Sequence, residues 1–225
     1  MSPKITCYLD CVSPYSYFAF THLLKHQATL TAHNIELDFI PIFLGGINAG
    51  SGNQPPWMVP AKAAYSNVDL QHAKRYFGLP NLIKRPSVFP TNTLRPQRGL
   101  VYIKAHHPTV YHEAFRLAWV ALWENDTDIS QPTLLSTVWA PLFPAAGELE
   151  KVLQAAEDPR WKKGLQDNTK EALECGAFGA PWFVVTNSKG ERSVFFGSDR
   201  FHYMFAFLGL PEGESVGVVG EKAKL

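Results

Sequence analysis

Ile5-Thr6-Cys7-Tyr8-Leu9-Asp10 is a short apolar run, and Ser13-Pro14-Tyr15-Ser16 follows it almost at once. A serine ahead of a proline reads as a helix N-cap followed by proline at the first helical position, where the missing N–H costs nothing. Phe20, Leu23 and Leu24 then repeat at helical spacing. A hydroxyl therefore stands where a strand feeds a helix N-terminus, among unpaired N–H groups and positive potential, a place that suits an anion or a thiolate. Taken alone, the four residues are equally an ordinary cap.

Working outward, Ile35 to Ile42 reads as a second strand, completing β-α-β. The stretch from Gly45 to Pro56 holds so much glycine and proline that it is expected to be a loop rather than a helix. A helix is expected from Pro60 to Gly78, with Ala61, Ala64, Tyr65 and Val68 on one stripe. Leu100 to His106 reads as a helix, and Ala114, Leu117, Ala118, Ala121 and Leu122 mark the clearest amphipathic segment. Shorter helices are expected at Thr133–Trp139 and Glu148–Ala156, and one capped by Asp158-Pro159 runs to Gly176. The period then changes to that of strands at 182–186 and 193–196, joined as a hairpin, before a last helix from Phe201 to Leu208.

The order is β-α-β, a block of helices, then α-β-β-α: an α/β fold in which the two ends of the chain share a small sheet. Its outline is that of a thioredoxin-like fold with an all-helical insertion, DsbA-like. On this reading residues 1–58 and 166–210 form the sheet-bearing domain, 59–165 the insertion, and 211–225 a flexible tail. A chain of 225 residues buries roughly 70–75% of its unfolded surface, so its core needs no metal or disulfide staple. Cys7, Cys11 and Cys175 are odd in number and lack C-x-x-C spacing, so free thiols in a reducing compartment are expected. Cys175, beside Gly176 at a helix end, is read as lacking the positive surroundings of a reactive thiol. Trp119 and Trp123 are read as a packing face, and His106-His107 as a helix end rather than metal ligands. The net charge of +1 gives no field for steering onto nucleic acid or an anionic membrane, and no apolar run is long enough to span one.

Thioredoxin-type redox proteins carry cysteines at the first strand–helix junction. Here serine holds both positions, Ser13 and Ser16, so the junction cannot exchange disulfides. With Asp10 and Ser13-Pro14-Tyr15-Ser16 go four more pieces, in order along the chain: Ser51-Gly52-Asn53-Gln54-Pro55-Pro56; Lys62 and Tyr65; Gly176-Ala177-Phe178-Gly179-Ala180-Pro181; and Phe196-Gly197-Ser198-Asp199-Arg200. Together they resemble the kappa-class glutathione transferases, relatives of DsbA-type oxidoreductases and of 2-hydroxychromene-2-carboxylate isomerases.

The resemblance implies that glutathione is the substrate and thiol source, with no metal. Ser13 would hydrogen-bond its sulfur and favour the thiolate, flanked by Pro14 and Tyr15. Ala180 would pair by its backbone with the cysteinyl part, before a cis Pro181. The family often has a larger aliphatic residue at Ala180, which matters little for a backbone contact. Ser198 and Asp199 would hold the γ-glutamyl end, and Asn53 and Lys62 would reach the peptide from the loop side, Lys62 at the glycyl carboxylate. Arg200 is left open between Asp199 and the ligand. Trp57 and Met58 are candidates for the wall of a site for a small electrophile. The family also implies a homodimer. Two other readings stand beside the transferase: a glutathione-dependent isomerase of the chromene-carboxylate type, and a glutathione-binding or thioredoxin-like protein without turnover. The ending Ala223-Lys224-Leu225 resembles the S-K-L address, so peroxisomal targeting is expected, with cytoplasm or mitochondrion as alternatives.

Overall fold

The structure is a computed structural model that describes residues 2–211. Strand β1 (Lys4–Leu9) leads to α1 (Pro14–Lys25), a short α2 (Gln27–Ala32) and β2 (Glu36–Pro41). Helices α3 (Leu44–Ser51), α4 (Pro60–Tyr76), α5 (Leu94–His106), α6 (Pro108–Trp119), α7 (Pro132–Trp139) and α8 (Glu148–Ala155) follow. The chain then returns through α9 (Pro159–Glu174) to β3 (Trp182–Thr186), β4 (Arg192–Phe196) and α10 (Phe201–Phe207). The strands form one sheet in the order β2-β1-β3-β4. β1 pairs parallel with β2 and antiparallel with β3, in registers that set Cys7 beside Phe39 and Phe183. This is the DsbA-like thioredoxin architecture that the element order predicts.

The alternation of side chains along the strands explains the layers. Ile5, Cys7 and Leu9 of β1 and Phe183 and Val185 of β3 face a large core built with α1, α10 and the helical block. Tyr8, Trp182 and Val184 face the opposite side, where Ile47 of α3 and Ala172 of α9 cover them. The block is packed onto the sheet rather than tethered to it: Phe20 of α1 stacks among Phe39, Phe115 and Trp119 at centroid distances of 4.7, 5.9 and 5.1 Å. Helix α9 runs unbroken across the expected insertion boundary at 165/166. The three cysteines are free.

Two expectations need correction. Residues 44–51 form a helix, not a loop, although three of the eight are glycine. Intrinsic propensity is against it by about 1 kcal/mol per glycine, but the glycines allow α3 to lie close on α9. A Cβ at Gly50 would stand 2.5 Å from Leu173 Cδ1, and one at Gly46 3.1 Å from Thr169 Cγ2. The residue that anchors the helix is Ile47, fully buried. The Ala61-Ala64-Tyr65-Val68 stripe of α4 is likewise real but faces outward: all four are exposed, while Leu70, Lys74 and Phe77 point into the core.

Candidate active site

Ser13 caps α1 as the sequence predicts: its Oγ accepts the Ser16 amide at 3.1 Å. The same Oγ donates to the Ala180 carbonyl at 3.1 Å, reaching across to the loop before β3. The Ala180-Pro181 bond is cis, as expected, and so is Phe89-Pro90. Acting as a cap uses only the oxygen's lone pair. The hydroxyl proton stays free to serve another acceptor, so the two readings of Ser13 do not compete.

The junction is held from beneath by groups that sequence reasoning passed over. Gln97 is fully buried and its Nε2 donates to Leu9 O at 2.7 Å and Ile42 O at 2.6 Å, while its Oε1 accepts from Cys11 Sγ. One amide thus ties the ends of β1 and β2 together directly below the Ser13 turn. The two tryptophans read as packing residues are buried, and they also act as donors. Trp119 Nε1 donates to Ser13 O at 3.2 Å and Trp123 Nε1 to Cys11 O at 2.9 Å. Trp123 sits on a single turn of π-helix, Val120–Glu124, a distortion often found near functional sites.

Asp10, read only as part of a motif, is a fully buried carboxylate. It accepts from its own turn at Val12 N, 3.0 Å, and from Leu44 N at the start of α3, 2.7 Å. Burial raises its pKa to about 6, against the lowering effect of these amides. The charge is therefore only partly offset, and its work is to cap α3 from outside that helix.

Above Ser13 lie two cavities that share Tyr15, Pro56, Ser66, Ala180 and Phe196 in their walls. The larger, about 970 Å³, is lined by Lys62, Pro181, Ser198 and Asp199, with Tyr65, Asp69, His72 and Tyr76 of α4. The smaller, about 240 Å³, is lined by Ser13, Pro14, Asn53 and Trp57, with Phe89 and Trp123. The residues expected to hold the peptide thus fall around one continuous depression, with Tyr15 and Ala180 at its seam and Ser13 beside them in the smaller cavity. Of the electrophile-wall candidates, Trp57 lines the smaller cavity and meets Phe89 edge to face at 4.9 Å. Met58 is 62% exposed and lines neither.

Several side chains in this depression already have partners. Asn53 Nδ2 donates to Phe178 O at 2.6 Å, fixing its loop to the segment before Pro181. Tyr15 donates its hydroxyl to Asp69 in a short bond, and burial, then Asp69, hold the phenol well above its usual range. Arg200 pairs with Asp199. Asp69 was missed, yet a signal was present. Lys62, Tyr65, Asp69, His72 and Tyr76 recur at helical spacing and share the cavity face of α4. The expectation for Cys175 is also corrected: Arg192 Nη2 lies 2.9 Å from its sulfur, a positive neighbour brought from β4 that spacing along the chain could not reveal.

A family model described as a DSBA-like thioredoxin domain matches residues 4–208. The chain belongs to that family. Within it, the chain is similar to glutathione S-transferase kappa 1 of Caenorhabditis elegans, 30% identical over 99% of this chain and 98% of the relative. It is similar to glutathione S-transferase kappa 1 of Homo sapiens at 29%, covering 91% of this chain and 90% of the other. Among solved structures, a 2-hydroxychromene-2-carboxylate isomerase superposes with a TM-score of 0.74 over 92% of this chain and 94% of the other, at 19% identity. At that identity the superposition speaks for the fold. In this DSBA-like chain serines stand at both ends of the Ser13-Pro14-Tyr15-Ser16 turn that opens α1.

Proposed function

We propose that the protein is a glutathione transferase in which Ser13 stabilises the thiolate of bound glutathione. The observation that carries this reading is the Ser13 hydroxyl in the smaller cavity, bonded to the carbonyl of Ala180, which lines both cavities just before cis Pro181. Glutathione occupies the larger cavity, with its glycyl carboxylate at Lys62 and its γ-glutamyl end at Ser198 and Asp199. On binding, the Ser13 proton turns from Ala180 O to the sulfur, and the cysteinyl N–H takes the vacated carbonyl. Each polar group thereby exchanges one partner for another, and none is left unpaired.

A magnitude limits what Ser13 contributes. A thiol of pKa about 8.5 is roughly 3% ionised at pH 7; lowering it by about two units makes it about 75% ionised, for about 2.7 kcal/mol. Nucleophilicity falls about tenfold at the same time, if an exchange-reaction slope of roughly 0.4–0.5 applies. The net gain from ionisation is a few-fold. The larger part of the acceleration comes from holding the electrophile against the sulfur, in the smaller cavity beside Trp57. There the sulfur bonds to the electrophilic carbon, the leaving group departs with its electron pair, and the thiol proton passes to solvent.

The reading is tested by thermal melts and turnover together. Millimolar glutathione should raise the Tm of the protein, and conjugation of an aryl halide should fall about five- to eightfold in Ser13→Ala at pH 6.5. No Tm shift would sink the transferase and isomerase readings alike, while binding without turnover of any electrophile would leave a binding protein. A homodimer fits the outward-facing Tyr65, Val68 and Tyr76 of α4. Peroxisomal targeting through Ala223-Lys224-Leu225 is part of the proposal and rests on the sequence, since those residues lie outside the described ones.

A further inference from the structure

Among the described residues that line the smaller cavity, Arg85 alone carries a formal charge at neutral pH. Its guanidinium lies over the Phe89 ring, 4.7 Å from the centroid. Among the described residues it makes no ion pair; the nearby Asp126 is engaged by Ser87 through two hydrogen bonds and lies 3.9 Å from Lys84. Trp57, Phe89 and Trp123 supply flat apolar surface in the same cavity, whose neutral polar lining comes from Ser13, Asn48, Asn53, Ser66 and Asn67. Stacking occupies the face of the guanidinium and leaves its in-plane N–H donors free along the edge.

The loop that carries Arg85 is fixed in place. Lys74, itself buried, donates to Asn81 O at 3.0 Å and Ile83 O at 3.4 Å. The Lys84 amide donates to Trp123 O at 3.1 Å, joining the loop to the π-helical turn. A positive fork without a carboxylate partner is thus held at the rim of an aromatic slot whose floor includes Ser13.

We infer that this cavity selects flat electrophiles of one or two rings that carry a carboxylate, with Arg85 as the residue that determines the preference. The inference rests on the transferase reading for the identity of the attacking thiolate. An anionic electrophile approaching that thiolate meets a like charge, and Arg85 offsets the repulsion while its planar fork orients the carboxylate. The aromatic walls align the ring, and the reacting carbon is turned toward Ser13.

The test compares a chlorodinitrobenzoate, its chlorine para to the carboxylate, with its methyl ester. In each, the glutathione sulfur bonds to the ring carbon bearing chlorine, electron density passes into the ring and nitro groups, and chloride leaves with the C–Cl pair. Each kcat/KM is divided by the uncatalysed rate constant to remove intrinsic reactivity. The wild-type ratio of acid to ester should exceed unity by at least about tenfold and fall at least about tenfold in Arg85→Met, with Arg85→Lys between the two. Lys84→Met, a neighbouring cation outside the cavity, should leave the ratio within about twofold. A ratio insensitive to Arg85→Met, or shifted equally by Lys84→Met, overturns the inference while the transferase reading stands. Titrating the two finished glutathione conjugates against tryptophan fluorescence gives a readout without turnover. An Arg85-dependent preference for the acid conjugate in a protein that turns over neither compound keeps the inference and removes the transferase reading. Failure of both conjugates to bind overturns the inference.

Discussion

The two cavities that meet at Ala180 differ in kind. The larger is lined by Lys62, Asp69 and Asp199 with two histidines, so charges of both signs surround it. The smaller is lined, among the described residues, by aromatic and neutral polar side chains with Arg85 as its single cation. A ligand bearing two carboxylates and an ammonium needs the first sort of surface; a ring to be pressed against a sulfur needs the second. Fixed recognition and tolerant recognition are thus separated in space, and the Ser13 hydroxyl, in the smaller cavity, is bonded to Ala180, which lines both. A change beneath the seam should harm both cavities together, and a change in one wall should harm one.

The largest effect is expected at Gln97. Gln97→Ala leaves the Leu9 and Ile42 carbonyls without their buried donor and opens a void, for a loss of about 2–5 kcal/mol. Urea unfolding measures it, and a loss below about 1 kcal/mol would show that the seam does not depend on this amide.

Asp10 comes next, and its effect depends on pH. The folded-state value of about 6 lies above the ordinary 3.8, so the folded protein binds the extra proton in that window. Stability from this group is therefore greatest below the lower value, falls as pH rises through the window and levels off above it, by about 3 kcal/mol in all. Asp10→Asn should remove that slope. Equal pH dependence of stability in wild type and variant, between pH 4 and 7, would count against a buried charge beneath the seam.

The single-wall effects are smaller and should separate. Lys62→Met is expected to raise the KM for glutathione about tenfold while the electrophile's KM hardly moves. Trp57→Ala should do the reverse, raising the electrophile's KM about three- to tenfold. If either substitution shifts both constants alike, the cavities are one site and the distinction collapses.

Much of this was legible before any coordinates. The Ser-Pro cap, the parallel β-α-β start and the returning hairpin are written in local chemistry, where a few adjacent residues suffice, while the cis Pro181 was implied by the family resemblance. What escaped was decided at a distance. The helix at residues 44–51 owes its existence to glycines that suit α9, a partner more than a hundred residues away in sequence. Gln97 looks like any polar residue on an amphipathic helix until two strand ends are brought to it. Arg85 and Phe89 lie in a Pro-rich loop whose position depends on the buried ammonium of Lys74, an uncommon arrangement that no periodicity announces. Asp69 was within reach, since its spacing from Lys62 and Tyr65 follows the helix period.

The hydrogen bond from Ser13 to Ala180 spans 167 positions of the chain. During synthesis the capped helix can form as soon as its first turns emerge, yet its hydroxyl has nothing to meet until β3 emerges and pairs with β1. Contacts of such separation close late and slowly, because the intervening loop must first be ordered. A nascent or truncated chain ending before Ala180 keeps the cap and lacks the site. On the proposed function, competence to hold glutathione therefore reports that β3 has joined the sheet, which makes ligand binding a stringent assay of folding.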